Sequence, residues 1–169
     1  EINEKKCSGR VEELEKILFK RPSDGNIGIG HVRWATHGVP NVINAHPHSS
    51  EIVSVVHNGI IENSDEIKKD LESKGLKFKS QTDTEVITLL ITEALKGDEP
   101  LKSVFKTLKK LKGSFALGII FKNHKNIIIG ARRGSPLAVG YSTEENYLGS
   151  DSYALKSMTN KISYLDDGD

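Results

Sequence analysis

The residues best suited to chemistry are the adjacent pair Asn58 and Gly59, which lie between the β-branched run 52–56 and Ile60-Ile61. An apolar run that ends in Asn-Gly and resumes with apolar residues predicts a strand, a tight turn and a second strand. At such a turn the Asn side-chain amide and the Gly backbone N–H can both donate hydrogen bonds to one small target. Two such donors can form an oxyanion hole. An ordinary hairpin turn is the alternative for this dipeptide.

Two charged residues extend this interpretation. Arg33 follows a predicted strand over residues 27–32, and a guanidinium there can bind a carboxylate through paired hydrogen bonds. Asp83 lies in the predicted first turn of a helix, where a carboxylate can bind an ammonium group or serve as a cap. Together with two amide donors, these charges suit a zwitterionic amino acid whose side-chain carbonyl is attacked. They therefore predict a glutamine site, with a surface salt bridge and a helix cap as the alternatives.

Histidines raise the question of a metal site, because five of the six lie between residues 31 and 57. A zinc site needs three or four converging ligands, and the sequence has neither a helical His-x-x-x-His nor a Cys-x-x-Cys spacing. We predict neither a metal nor a cofactor.

The elements that must position these residues are helices in the first two thirds of the chain and strands mainly in the last third. Apolar residues at helical spacing predict four helices, which end before residue 21 and near Gly75, Gly97 and Gly113. The second begins after Asn63 or Ser64, the third begins in a capping box over 82–85, and the fourth buries a stripe that includes Leu101 and Phe105. Short apolar runs predict strands at 115–121, 126–131, 137–141, 147–149 and 162–165. Their short connections favour antiparallel pairing and an α+β layered fold.

Composition indicates one globular domain over residues 1–169. Hydrophobic residues make up 36% of the chain, charged residues make up 28%, and the formal net charge is +1. This charge predicts neither nucleic acid nor membrane as a partner. The single cysteine, Cys7, suggests a reducing compartment, so we expect a cytoplasmic location.

Five motifs in register resemble the glutaminase domain of the glutamine-fructose-6-phosphate aminotransferases, a class II glutamine amidotransferase family. They run over residues 30–38 (GHVRWATHG), 44–48 (NAHPH), 57–63 (HNGIIEN), 82–86 (TDTEV) and 134–137 (GSPL). The resemblance implies an α+β fold of the N-terminal-nucleophile hydrolase type, an αββα sandwich of antiparallel sheets.

The resemblance also implies roles for individual residues. Asn58 and the N–H of Gly59 would form the oxyanion hole, Arg33 would bind the α-carboxylate of glutamine, and Asp83 would bind its α-amino group. The pocket would further be lined by Trp34, Thr36, His37 and His46, with residues 33–41 closing over glutamine. Ammonia would then convert fructose-6-phosphate to glucosamine-6-phosphate in downstream sugar isomerase domains of a homodimeric enzyme.

One departure from the family concerns the nucleophile. Family members begin with a cysteine whose α-amino group acts as base, whereas Cys7 stands in a context that resembles a later part of the domain. We therefore expect a domain truncated at its N-terminus, and we expect the 169-residue chain to be inactive as written. The alternatives are another class II amidotransferase, such as the purine-pathway transferase, and a non-catalytic glutamine-binding module.

Overall fold

A computed structural model of the protein describes residues 1–33 and 38–169. Within these ranges the helices are α1 (Val11–Lys20), α2 (Ser64–Ser73), α3 (Asp83–Ala94), α4 (Pro100–Leu108) and α5 (Ser152–Leu155). The strands are β1 (His48–Ser49), β2 (Val53–Ile61), β3 (Gly113–Phe121), β4 (His124–Arg133), β5 (Ala138–Tyr141), β6 (Asn146–Gly149) and β7 (Lys161–Tyr164). None of the helices in these two ranges is long and apolar enough to span a membrane.

The strands form two antiparallel sheets, one in the order β1-β2-β3-β4 and one in the order β6-β5-β7. The sheets meet where Leu148 of β6 lies against two glycines of the first sheet: a methyl group built on Gly130 would lie 2.9 Å from Leu148, and one on Gly118 3.6 Å from it. Side chains alternate between the two faces of a strand, so Gly149 faces away from the first sheet, and there it packs against Leu155 of α5. The predicted α+β layering of antiparallel sheets between helices is therefore confirmed.

The core lies between the first sheet and α3. Residues 86, 87, 90 and 91 of α3 follow helical spacing and are buried against alternate residues of β2 and β3, among them Val53, Val55, Leu117 and Ile119. Each such side chain contributes about 1.5–3 kcal/mol when fully removed from water. The start of α3 is thereby fixed next to β2, and both carry candidate site residues.

Gly59 corrects the predicted hairpin turn. β2 runs without interruption from Val53 to Ile61 and pairs Asn58 with Ala116 and Gly59 with Phe115. The φ angle of Gly59 is +130°, and a Cβ there would lie 2.2 Å from the carbonyl oxygen of Ser114. Glycine is thus required at position 59 because β3 approaches the backbone of β2 closely there. The Asn-Gly pattern alone does not distinguish such a glycine inside a strand from a glycine in a turn.

Two further expectations are wrong. Residues 27–33 lie outside both sheets, although the Ile29 side chain lies near Gly118 of the first sheet. The alternation of small and apolar residues predicted a strand here, but a strand also needs a neighbouring strand with which to pair. On α4, Val104 of the predicted stripe is buried, but Leu101 is 67% and Phe105 60% exposed, and the small polar residues Ser103 and Thr107 are buried instead. The buried face of this helix is therefore rotated from the predicted stripe.

Candidate functional site

A cavity of about 330 Å³ lies at the edge of β2 next to the start of α3. β1 pairs only with Ser54 and Val55, so residues 56–61 have no strand beside them on that edge within the described chain. The residues that line the cavity are His31, Arg33, His46, His57, Asn58, Gly59, Ile60, Thr82, Asp83, Thr84 and Ser114.

Asp83 is the first residue of α3, and its carboxylate faces β2. Its Oδ2 accepts a hydrogen bond from the backbone N–H of Ile61 at 2.8 Å, and it lies 4.0 Å from Nδ1 of His57. The side chain of Asp83 is 5% exposed. This buried carboxylate thus holds the unpaired edge of β2 and places negative charge in the cavity wall.

The predicted capping box at the start of α3 is wrong. The Thr82 side chain makes no capping hydrogen bond, and the carboxylate of Glu85 accepts the N–H groups of Lys79 and Ser80 at 2.9 and 2.7 Å. Glu85 therefore fixes the loop before the helix. The spacing indicated the helix start correctly because an acidic residue in the first turn serves either arrangement.

Thr84 connects two histidines behind the cavity. Its Oγ1 lies 2.9 Å from Nε2 of His46 and 3.0 Å from Nδ1 of His57, and the residue is 1% exposed. A hydroxyl carries one proton, so Thr84 donates to one ring and accepts from the other. Both imidazoles are thereby held at defined angles to the cavity.

His31 extends this arrangement to Asn58. The His31 ring stacks at a tilt on His46, with 4.2 Å between the ring centroids. Nε2 of His31 lies 2.7 Å from Oδ1 of Asn58. A chain of contacts thus runs from Thr84 through His46 and His31 to the amide of Asn58.

Burial keeps His31, His46 and the neighbouring His48 uncharged by lowering their pKa values. Burial lowers the pKa of His46 to about 2, with further lowering by the neighbouring His31 ring. Burial also lowers the pKa of His48, to about 4, and the pKa of His31. The three rings are therefore neutral near pH 7, and each carries one N–H donor and one acceptor nitrogen.

Arg33, which also lines the cavity, is the last described residue before position 38. Its guanidinium donates to the carbonyl oxygens of Gly38 and Val39 at 3.2 and 3.1 Å. The Asn44 amide donates to the carbonyl of Val39 and to Oε1 of Gln81, and accepts the Gln81 N–H. These bonds join Arg33 to residues 38 and 39, and they join Val39 through Asn44 to Gln81, which precedes α3.

Five of the eight predicted site residues line this one cavity: Arg33, His46, Asn58, Gly59 and Asp83. The other three, Trp34, Thr36 and His37, lie outside the described residues. The individual roles of all eight stay predictions.

Sequence reasoning missed six lining residues, namely His31, His57, Ile60, Thr82, Thr84 and Ser114. Thr84 stood inside a motif that was interpreted only as a helix start, whereas nothing in the local pattern pointed to Ser114. Within residues 1–33 and 38–169, no three His, Cys, Asp or Glu side chains converge as metal ligands.

Comparison with protein families identifies a glutamine amidotransferase domain over residues 40–157. The glutamine-fructose-6-phosphate aminotransferase (isomerizing) of Zymomonas mobilis is 52% identical over 169 residues, which is 99% of this chain and 28% of that protein. The enzyme of the same name from Gluconobacter oxydans is 49% identical over 170 residues, with 100% and 28% covered. The chain thus spans about 28% of the length of these curated relatives.

Two solved structures share the fold. Glutamine phosphoribosylpyrophosphate amidotransferase from B. subtilis, complexed with ADP and GMP, superimposes with a TM-score of 0.64 at 26% identity, covering 80% of this chain and 29% of that one. A structure described as the allosteric regulatory enzyme of purine biosynthesis gives 0.66 at 27% identity, covering 80% and 30%. Both are N-terminal-nucleophile hydrolases, which confirms the predicted fold class.

Proposed function

The chain belongs to the glutamine amidotransferase family, and from this we propose that the cavity beside β2 binds glutamine and assists hydrolysis of its side-chain amide. The observation that carries the proposal is that two potential amide donors, Asn58 and Gly59, line the same cavity of about 330 Å³ as the oppositely charged Arg33 and Asp83. A free amino acid has the complementary groups: one amide carbonyl and two opposite charges.

Asn58 and Gly59 would stabilise the oxyanion. Backbone N–H groups alternate between the two edges of a strand, and the N–H of Ile61 points to the cavity edge, where it binds Asp83. The same alternation directs the Gly59 N–H, two residues earlier, to that edge. Together with the Asn58 amide it would supply two donors to the negative charge that develops on the attacked carbonyl oxygen.

Arg33 and Asp83 would bind the other end of glutamine. A planar guanidinium binds a carboxylate through two parallel hydrogen bonds, which suits the α-carboxylate. The buried Asp83 carboxylate suits the α-ammonium group, since an opposite charge offsets the cost of removing that group from water. Trp34, Thr36, His37 and His46 would complete the pocket, as the family resemblance implies.

The reaction requires a nucleophile. A thiolate would attack the amide carbon, the tetrahedral intermediate would expel the amide nitrogen as ammonia after protonation, and water would cleave the thioester to glutamate and thiol. Cys7 lines a different cavity, shared with Lys6 and Glu13, and no cysteine lines the glutamine cavity among the described residues. We therefore propose that the thiol comes from a cysteine outside these 169 residues, as in the family, and that a polypeptide of residues 1–169 alone is inactive.

The fate of the ammonia is proposed from the relatives. Their name and the identity of about 50% favour amination of fructose-6-phosphate to glucosamine-6-phosphate. As the family resemblance implies, we propose that sugar isomerase domains of a longer, homodimeric, cytoplasmic enzyme carry out this step. The second candidate is a phosphoribosylpyrophosphate amidotransferase, favoured by the fold similarity at 26–27% identity. A non-catalytic glutamine-binding module is the third.

The test compares three amides in the natural polypeptide that contains this domain. L-Glutamine carries both α-groups, glutaramate lacks the amino group, and 4-aminobutanamide lacks the carboxylate. We expect glutamate release from glutamine and a loss in kcat/KM of at least about tenfold for each analogue, because each loses a hydrogen bond to a charged group. Residues 1–169 alone should release no glutamate.

Equal turnover of all three amides would contradict binding by Arg33 and Asp83. Glutaminase activity of residues 1–169 that Cys7→Ala abolishes would contradict the proposed source of the thiol. Glutamine binding without any turnover in the natural polypeptide would favour the non-catalytic module.

A further inference from the structure

His31 makes a short side-chain contact to Asn58. Its Nε2 lies 2.7 Å from Oδ1 of Asn58, across 27 positions of sequence. Oδ1 of an asparagine only accepts hydrogen bonds, so the proton of this bond belongs to His31 Nε2. The bond therefore specifies which end of the Asn58 amide faces His31.

The orientation of the amide decides what Asn58 can do. With Oδ1 held by His31, the Nδ2 group is directed away from the ring, and its two N–H donors are available to the cavity. With the amide turned by 180°, the carbonyl oxygen of Asn58 would face the cavity and repel an oxyanion. An asparagine side chain has no strong intrinsic preference between these two orientations, because its terminal torsion is broad and roughly two-fold.

His31 is itself held in place by its surroundings. Its ring stacks on His46, and Nε2 of His46 is bonded to the buried hydroxyl of Thr84 in α3. Two protonated imidazoles at this separation would repel each other, and both rings are partly or largely buried, so both are neutral. A neutral imidazole carries a single proton, and the Asn58 contact places it on Nε2 of His31.

We propose that His31 is a positioning residue for glutamine hydrolysis: its Nε2–H fixes the Asn58 amide with the NH₂ group facing the reacting carbonyl. His31 lines the cavity, and in this assignment it acts on the reaction by orienting Asn58 and not by binding glutamine. The inference rests on the proposed function, since it needs Asn58 to act as an oxyanion donor. In this proposal, His31 affects the reaction only by orienting the Asn58 amide.

The test uses three substitutions in the natural polypeptide. His31→Phe keeps a ring on His46 but removes the donor. His31→Gln places an amide NH₂ near the position of Nε2, whereas the side chain in His31→Asn is one methylene shorter and does not reach Asn58. We expect kcat for glutamate release to fall about tenfold in His31→Phe, the factor for one ordinary hydrogen bond, with KM nearly unchanged. His31→Gln should recover most of this loss and His31→Asn should not.

A double-substitution cycle separates positioning from a general structural role. In an Asn58→Ala background, His31→Phe should cause no further loss of kcat, because the group that it positions is absent. An equal loss in both backgrounds, or wild-type kcat in His31→Phe, would overturn the inference. If His31→Phe fails to fold by its melting curve, the comparison of His31→Gln with His31→Asn decides: equal kcat in these two would overturn it.

Failure of the proposed function gives a different result. If Asn58→Ala alone leaves kcat unchanged, Asn58 is not an oxyanion donor and the proposed function loses its catalytic assignment. If Asn58→Ala lowers kcat but the His31 variants do not follow the expected order, only the role of His31 is wrong.

Discussion

At the scale of single residues, the carboxylate of Asp83 has two possible roles, as a helix cap or as a group that binds the ligand. From its place in the first turn of α3 it could be a helix cap. The structure instead directs its Oδ2 to the N–H of Ile61 in β2, at 2.8 Å, and places it in the cavity wall. Its negative charge near the N-terminus of α3 is also favourable for the helix.

We predict that Asp83→Asn weakens ligand binding with little effect on stability. Asparagine can still accept the Ile61 N–H through its Oδ1, but it lacks the charge that would bind the α-ammonium group. Loss of a charge-assisted hydrogen bond of about 1.5–3 kcal/mol lowers affinity by about one to two orders of magnitude. The measurement is calorimetric titration with L-glutamate, which keeps both α-groups and is not consumed, together with a melting curve.

Asp65→Asn is the matched control, because Asp65 is an exposed acidic residue in the first turn of α2. It should leave glutamate affinity at the wild-type value. Equal glutamate affinity in Asp83→Asn and wild type would contradict the proposed binding of the α-ammonium group by Asp83.

At the scale of elements, the sequence predicts most helices and strands, because their apolar periodicity is strong. The predicted strands from residue 115 onward all form, and α1 to α4 lie where expected. Periodicity fails where a long-range partner decides the outcome. Asn58 and Gly59 stay inside β2 because β3 approaches at Ser114, and residues 27–33 lie outside both sheets.

The candidate site was predictable to the same extent. The chemistry of the residue types predicted Asn58, Gly59, Arg33 and Asp83, and the family resemblance added His46; all five line one cavity. The contacts of Thr84 with two histidines and of His31 with Asn58 join residues up to 38 positions apart, so no local pattern encodes them.

We predict that the stability of the domain falls in acid because of a buried histidine between β1 and α3. His48 in β1 bonds through Nε2 to the Thr82 hydroxyl at 2.9 Å, and burial lowers its pKa to about 4 from an unfolded value of about 6.5. Below pH 6.5 the unfolded chain binds a proton that the folded chain does not, so stability falls as the pH is lowered. The loss for His48 is on the order of 2 kcal/mol between pH 6.5 and 4.5, and His46 adds to it with the same sign.

Urea unfolding of residues 1–169 at these two pH values measures the effect. His48→Gln keeps an amide near Nε2 for Thr82 but cannot titrate, so the free energy of unfolding should fall less steeply with pH than in wild type. The same carboxylates titrate in both proteins, so the difference between their pH dependences of unfolding free energy comes from His48. Identical pH dependence in the two proteins would show that His48 is protonated at the same pH in the folded and unfolded chains.

At the scale of the whole molecule, two stacked sheets and the α2–α4 layer support one open strand edge, that of β2. β1 stops after two residues, and the exposed edge of β2 meets the first turn of α3 across the cavity. Buried neutral histidines hold the Asn58 side from behind, and the Asn44–Gln81 bonds hold the Arg33 side. We propose that this edge is an amidase site in which Asn58 stabilises the oxyanion.

The most direct test is the rate of glutamate release by the natural polypeptide over a range of glutamine concentrations, in wild type and Asn58→Ala. Asn126→Ala, an exposed asparagine of β4, is the control and should behave as wild type. We predict that Asn58→Ala lowers kcat by about 10²- to 10³-fold and leaves KM nearly unchanged, because an oxyanion donor acts on charge present only in the transition state. A wild-type kcat with a raised KM would make Asn58 a ground-state contact and would contradict the claim.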